Sequence, residues 1–246
     1  MLLWAMSLTS YFLPSHQHII HTTMKKLVYV LSLTLGIFLF LTSCKSDSPD
    51  IKMVEGKGPA IDSLIAINGF AHIQVKGSPT VYLYQGNTFE VRLSGSKNLL
   101  PLVNVYWRTP FLVIETPEDV MIRNNNLELH VQLPVLMGVE NIGTGLVESK
   151  TDFTCESLIA LTNNTGELRL TGKTKSLTAS MYATGTLHLE QMQAEKVTVD
   201  ISGKGTAKVN AEKTLYGWLD GSGKVLYKGN PRVGVEITGT GTVLPF

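Results

Sequence analysis

Residues 197–209 read VTVDISGKGTAKV, and this stretch decides the fold. Small or apolar side chains stand at alternate positions on both sides of the glycine pair, namely Val197, Val199, Ile201, Ala207 and Val209. Alternation of this kind predicts two short strands, each with one face turned inward. A turn ending at Gly205 separates the strands, because glycine adopts backbone conformations that other residues avoid.

The same frame occurs six times in the second half of the chain. Its glycine stands at positions 145, 166, 185, 205, 223 and 241, spaced 18 to 21 residues apart. Repetition near this period predicts an all-β, right-handed parallel β-helix-like solenoid with six glycine-marked repeats. Glycine is expected at the turns because neighbouring coils pass close by and because a sharp bend often requires a positive φ. Antiparallel hairpins turned by the Gly-x-Gly motifs are the competing all-β interpretation.

Residues 60–136 are less regular but also resemble strands. Val81 and Leu83 alternate with Tyr82 and Tyr84, which is typical of a half-buried strand. Pro110 predicts a turn between two further strands.

The segment GELRLTGKT at residues 166–174 ends like a phosphate-binding loop. Five residues separate its first glycine from the Gly-Lys pair, whereas a P-loop needs four and is followed by a helix. The alternating residues after Thr174 predict strands, so the segment is interpreted as one strand and the corner that follows it.

The composition gives no sign of a nucleic-acid-binding protein. The chain has 246 residues, of which 43% are hydrophobic and 17% charged, and its formal net charge is +1, so nothing indicates a nucleic-acid partner.

The two cysteines are Cys44 and Cys155. If Cys44 carries a lipid, no disulfide can form within the chain, and Cys155 is interpreted as a small packing residue.

The N-terminal segment predicts a lipoprotein. From Met24 the chain has two lysines, an apolar stretch and small residues before Cys44, which is the layout of a secretory signal peptide at 24–43. The ending LTSC resembles the bacterial lipoprotein box, which implies that Cys44 is lipidated and anchors the protein to a membrane. Residues 1–23 are interpreted as a misassigned start, and residues 44–59 as the lipidated cysteine and a flexible tether. We therefore expect an outer membrane lipoprotein of the cell envelope, on the surface or the periplasmic face.

The order of motifs resembles a known family. SLIAINGFAHIQVKGSPTVYLYQG, FEVRLSGSKNLLPLV, FLVIE and LELHVQLPVLMGVENIGTG, followed by repeated Gly-x-Gly strands, are similar to the head GIN domain family over residues 60–246. The resemblance implies a parallel β-helix-like fold in lipoproteins described as auto-transporter adhesins. It supplies no catalytic residues and no cofactor.

Three groups of outward residues are candidates for a site. Tyr216 and Trp218 form a candidate ligand-binding pair, since exposed aromatic rings stack on sugars, and covering an end of the solenoid is the alternative role. The carboxylates of Asp200, Asp220 and Glu236 form an alternative acidic site. A basic column at the third position after the repeat glycine contains Arg169, His188 and Lys208.

No metal site is predicted. The turns lack the acids of calcium-binding β-rolls, and the mature histidines stand in different strands. The sequence thus favours a non-catalytic binding or scaffolding module for a glycan or a surface protein. The alternative is a polysaccharide-processing enzyme that uses the outward carboxylates. Unpaired strands at the ends of a solenoid also predict self-association through those ends.

Overall fold

The computed structural model describes residues 51–246, which belong to one compact unit. The predicted start, signal peptide, lipidated Cys44 and first part of the tether lie outside the described residues. The described strands are β1 (Lys52–Glu55), β2 (Ala60–Ile65), β3 (His72–Lys76), β4 (Thr80–Gln85), β5 (Glu90–Ser96), β6 (Asn104–Arg108), β7 (Phe111–Glu115), β8 (Val120–Arg123), β9 (Glu128–Leu133), β10 (Gly138–Asn141), β11 (Leu146–Ser149), β12 (Phe153–Thr162), β13 (Glu167–Met181), β14 (Thr186–Gly203), β15 (Thr206–Gly221), β16 (Lys224–Lys228), β17 (Arg232–Gly239) and β18 (Thr242–Pro245).

The strands stack into a solenoid with two main sheets. The front sheet has the order β6-β7-β3-β10-β12-β13-β14-β15-β17, and the back sheet has the order β2-β5-β9-β4-β11-β13-β14-β15, continued by β16 and β18. Strands β13, β14 and β15 belong to both sheets because each bends at a corner between its back half and its front half. Along the chain, each coil therefore consists of a front strand, a turn, a back strand and a corner, in that order.

Parallel pairing confirms the predicted solenoid over the hairpin interpretation. The strands of the repeats pair in parallel from β10 to β18, with equivalent positions in register, such as Leu158, Leu177, Val197 and Leu215. Among residues 51–246, antiparallel pairing is confined to β2 with β5, β5 with β9, and β6 with β7. The turn between β6 and β7 contains Pro110, as predicted.

The inward positions form a continuous apolar column. Leu158, Leu177 and Leu215 of the front sheet are fully buried, as are Leu168 and Leu187 of the back sheet. Two polar residues at an inward position are also buried. The amide of Asn141 donates hydrogen bonds to the carbonyl oxygens of Gly145 and Glu167, and Thr162 donates to the carbonyl of Gly166. These bonds satisfy the polar atoms inside the turn.

The repeat glycines are required for space and not for a positive φ. Each directly precedes a back strand, and none of the six has a φ in the left-handed region; the positive φ expected at the turns is found instead at Gly203, Gly221 and Gly239, two residues before the repeat glycine in the last three turns. A methyl group on Gly185 would lie 2.7 Å from the carbonyl oxygen of Gly166, and one on Gly205 would crowd the carbonyl of Gly185. The close passage of neighbouring coils therefore demands glycine here. Positive φ occurs at other glycines of the coils, including Gly172, which lies at the corner after the GELRL strand.

Two segments differ from expectation. Strand β1 lies inside the predicted tether and pairs in parallel with β8, because Val54 and Ile122 pack against the core. Met137, Val233 and Ile237 occupy inward repeat positions but are 41–47% exposed. Val233 and Ile237 belong to the last described coil, whereas Met137 precedes β10, which β3 covers on its other side. No helix among residues 51–246 has the length and apolar character needed to cross a membrane.

Candidate functional site

The outward face of the front sheet carries an exposed aromatic and acidic surface. Strand register stacks Asp200 of β14, Trp218 of β15 and Glu236 of β17 on three consecutive coils. Trp218 thus lies between two carboxylates whose backbones are about 9–10 Å apart, twice the spacing of neighbouring strands. Asp220 stands two residues beyond Trp218, on the same side of β15. We call this set, together with Tyr216 and Tyr182, the front patch.

The two aromatic side chains predicted from sequence both face solvent. Trp218 is 58% exposed and Tyr216 is 39% exposed. The ring of Tyr216 lies over Gly234 of the next coil, where a methyl group would come within 2.3 Å of the ring carbon Cε1. Gly217 stands between them at an inward position, and a methyl group there would clash with the carbonyl oxygen of Val199. Glycines thus let the ring of Tyr216 lie flat and let β15 approach β14 closely.

Tyr182 is a member of the front patch that the sequence did not reveal. It stands in a turn, is 43% exposed, and its hydroxyl donates a 2.8 Å hydrogen bond to Oδ2 of Asp200. The hydrogen bond, reinforced by partial burial and the charge of Asp200, raises the pKa of the Tyr182 phenol. The position of Asp200 in the next coil creates this contact, and no local sequence pattern announces it.

The three acids have different surroundings. Asp200 accepts the bond from Tyr182, and Asp220 accepts a 3.1 Å bond from the hydroxyl of Thr238. Within residues 51–246, the salt bridges involve other acids, so these three carboxylates keep acceptor capacity toward solvent. The structure places all three around Trp218, with the indole between Asp200 and Glu236. The front patch can therefore offer an apolar ring surrounded by hydrogen-bond acceptors.

The basic column lies on the back sheet and is partly neutralised. Arg169, His188 and Lys208 stack in register beside a depression of about 320 Å³. Arg169 forms a salt bridge with Glu167, and Nδ1 of His188 lies 3.5 Å from Glu190. Carboxylates on the same strands thus reduce the attraction of this column for an anion.

Three other concavities occur in the described part of the chain. One of about 380 Å³ lies on the back sheet, where His130 contacts the rings of Tyr82 and Tyr84. A second, of about 510 Å³, follows the corner and includes Cys155, whose thiol pKa is raised mainly by burial. The raised pKa keeps the thiol protonated and fits a packing role. A third, of about 800 Å³, lies between the β1–β8 ribbon and the first turns.

Residues 51–246 contain no cluster of histidine, cysteine, aspartate and glutamate suited to a metal ion. The histidines of the described strands are separated, with His72 on the front sheet and His130 and His188 on different coils of the back sheet.

The stacked parallel coils define the class of the fold, that of β-solenoid proteins. Residues 69–231, more than half of the chain, match the family described as "Putative auto-transporter adhesin, head GIN domain". The chain belongs to this family, which confirms the resemblance found in the sequence.

Solved structures show the same fold. A putative adhesin from Bacteroides fragilis has a TM-score of 0.66 at 18% identity, over 78% of this chain and 100% of that chain. A putative lipid binding protein from Parabacteroides distasonis has a TM-score of 0.57 at 17% identity, over 79% of this chain and 100% of that chain. At these identities the likeness concerns the fold alone. No curated protein matches the chain.

Proposed function

We propose that this protein is a non-catalytic, adhesin-like component of the cell envelope that binds a glycan through the front patch. Membership of a family described as adhesins supports an adhesin-like role. The observation that carries the choice of ligand is Trp218, a 58% exposed indole flanked in register by Asp200 and Glu236.

The chemistry of a sugar complements this surface. A pyranose ring has an apolar face of C–H groups that can stack on an indole, and its hydroxyl groups donate hydrogen bonds to carboxylates. Ionised carboxylates repel acidic sugars, so the front patch favours a neutral or amino sugar over an acidic one. Several coils of similar sheet surface lie on the β14 side of Trp218, and β17 lies on its other side, which leaves room for an extended chain of sugars toward β14.

A panel of envelope and host glycans tests this proposal when binding and chain cleavage are followed together. We expect saturable binding to neutral glycans without new reducing ends, and loss of that binding in Trp218→Ala. Trp107→Ala is the matched control, because Trp107 is 54% exposed but lies in β6, at the far edge of the front sheet.

Other outcomes would reject the proposal in specific ways. Cleavage abolished by Asp200→Asn or Glu236→Gln would favour the alternative, a polysaccharide-processing enzyme. Binding to envelope proteins but to no glycan would indicate a protein partner. Binding lost equally in Trp107→Ala and Trp218→Ala would place the ligand elsewhere.

The proposal includes anchoring through a lipid on Cys44, with the solenoid held at the outer membrane on its surface or periplasmic face. The basic start, apolar stretch and LTSC ending of residues 24–44 support it. Mass spectrometry of the mature protein should find acyl chains on an N-terminal Cys44, and Cys44→Ser should release the protein from membranes. An unmodified Cys44 in the membrane fraction would contradict the proposed anchor.

We also propose that copies of the protein associate through the last described coil. Val233 and Ile237 of β17 are 41% and 46% exposed, whereas Leu215 and Leu219 at the same positions of the preceding coil are buried. An edge strand with exposed apolar side chains favours pairing with another strand. Sedimentation of the wild-type protein should therefore show a dimer that dissociates on dilution.

A further inference from the structure

A second exposed surface lies on the ribbon formed by β1 and β8. Met53 and Met121 are direct partners in this parallel pair and are 59% and 51% exposed. Ile51 lies two residues before Met53, on the same side, and is 53% exposed. Three large apolar side chains thus form a contiguous exposed patch on the ribbon.

The ribbon is held firmly against the solenoid. Its other face carries Val54 and Ile122, which pack against the hydrophobic core. The side chain of Asn98 donates to the carbonyl of Glu55 and accepts from the backbone N–H of Lys57, both at 2.8 Å. The direction in which the patch faces is therefore fixed relative to the sheets.

The patch stands close in sequence to the proposed lipid anchor. Six residues, 45–50, separate Cys44 from Ile51. Even fully extended, this length of chain reaches at most about 25 Å. A membrane that holds the lipid of Cys44 must therefore lie near the ribbon, whereas most of the solenoid can be farther away.

The charges around the patch are mixed. Arg123, on the same face as Met121, can meet a lipid phosphate. Glu55, in contrast, is the strand partner of Arg123 and forms a 3.8 Å salt bridge with Lys57, and Glu118 and Asp119 precede β8. Methionine and isoleucine enter the boundary between headgroups and acyl chains favourably, and the flexible methionine side chain adapts to it. A shallow insertion would add to the attachment given by the lipid.

We propose that the patch formed by Ile51, Met53 and Met121 lies in the interface of the membrane that carries the lipid of Cys44. This inference rests on the proposed lipid anchor. The ribbon flanks the turn edge of the solenoid, where Gly77 and Gly143 line the groove between them. The first turns therefore lie near the membrane, and the front patch, which lies on later coils, remains open to a ligand.

Quenching by brominated lipids tests the inference on the lipidated protein. Met53→Cys and Met137→Cys are each made with Cys155→Ser, so that the introduced thiol is the one labelled with an environment-sensitive fluorophore. Met137 is the matched control because it is 47% exposed and follows the corner, across the coil from the turns. The labelled proteins are reconstituted in vesicles of phosphatidylethanolamine and phosphatidylglycerol with brominated acyl chains.

We expect the label at position 53 to shift to the blue and to lose most of its fluorescence, and the label at 137 to change little. Ile51→Ser with Met121→Ser should reduce the quenching at 53, because two of the three inserted side chains are lost. If mass spectrometry shows that the protein carries its lipid, equally weak quenching at positions 53 and 137 would overturn this inference but leave the proposed anchor intact. Absence of lipid on Cys44 would overturn both this inference and the proposed anchor.

Discussion

Gly185→Ala tests the reason for the glycine repeat. The backbone φ of Gly185 is outside the left-handed region, so alanine meets no conformational barrier there. The new methyl group would instead lie 2.7 Å from the carbonyl oxygens of Asn164 and Gly166 and 2.9 Å from the hydroxyl oxygen of Thr162. Two of these three atoms belong to the backbone of the preceding coil, so they cannot move aside without separating the coils.

The cost of this substitution follows from three contributions. Overpacking in a tight site costs about 1–3 kcal/mol. Separating the coils weakens the 3.2 Å hydrogen bond from the N–H of Thr186 to the carbonyl of Gly166, at about 1 kcal/mol. The reduced entropy of the unfolded alanine chain offsets about 0.4–1 kcal/mol. We therefore expect Gly185→Ala to lower the free energy of unfolding by roughly 1–3.5 kcal/mol, with a central value near 2 kcal/mol.

Gly58→Ala provides the opposite control. Gly58 has a φ of +87°, but a methyl group there would have nothing within 4 Å. Backbone strain of about 1–2 kcal/mol, less the same entropy offset, predicts a net loss of roughly 1 kcal/mol. Urea denaturation of both variants measures the two free energies, with a shifted midpoint and an unchanged slope. A loss for Gly185→Ala no larger than that for Gly58→Ala would refute the explanation by space.

Three further outcomes are expected. Asn141→Ala should lower the free energy of unfolding by about 2–3 kcal/mol, because buried carbonyls lose their donor, and urea denaturation would measure it. Asp200→Asn should lower the pKa of Tyr182, observed in an alkaline ultraviolet titration as earlier ionisation of one tyrosine. Folding raises the pKa of Tyr182, so the contact with Asp200 stabilises the folded protein fully below the ordinary tyrosine pKa of 10.0. This stabilisation is lost as the pH rises through the pKa of Tyr182 in the folded protein. Ile237→Lys should abolish the dimer seen by sedimentation, and a dimer unchanged in this variant would exclude the last coil as the contact.

The repeat was predictable because the inward residues obey two local rules. Strand alternation and the recurring glycine assign Leu177, Val197 and Leu215 to one buried column, and the structure confirms it. The repeat period predicted parallel coils, which the structure confirms, but it left antiparallel hairpins open because a glycine turn serves both arrangements. The sequence predicted close passage of neighbouring coils as one reason for glycine; that crowding rather than a positive φ applies at the six repeat glycines depends on contacts across about twenty residues.

The front patch was predictable only in part. Alternation along β15 indicated that Tyr216 and Trp218 point outward, and the repeat register placed Asp200 and Glu236 beside Trp218. The contact of Tyr182 with Asp200 depends on how a turn side chain lies against the next coil. The β1–β8 ribbon was missed because its strands are four residues long and pair across more than sixty residues. Neither feature has a periodic signal.

A single-tryptophan titration tests the central claim most directly. Trp107→Phe leaves Trp218 as the one tryptophan of the described chain. A neutral glycan that binds the front patch should change the fluorescence of Trp218 saturably, shift it to the blue and leave the glycan intact by mass spectrometry. Glycan binding detected by calorimetry with no change in this fluorescence, or conversion of the glycan to shorter products, would contradict the account.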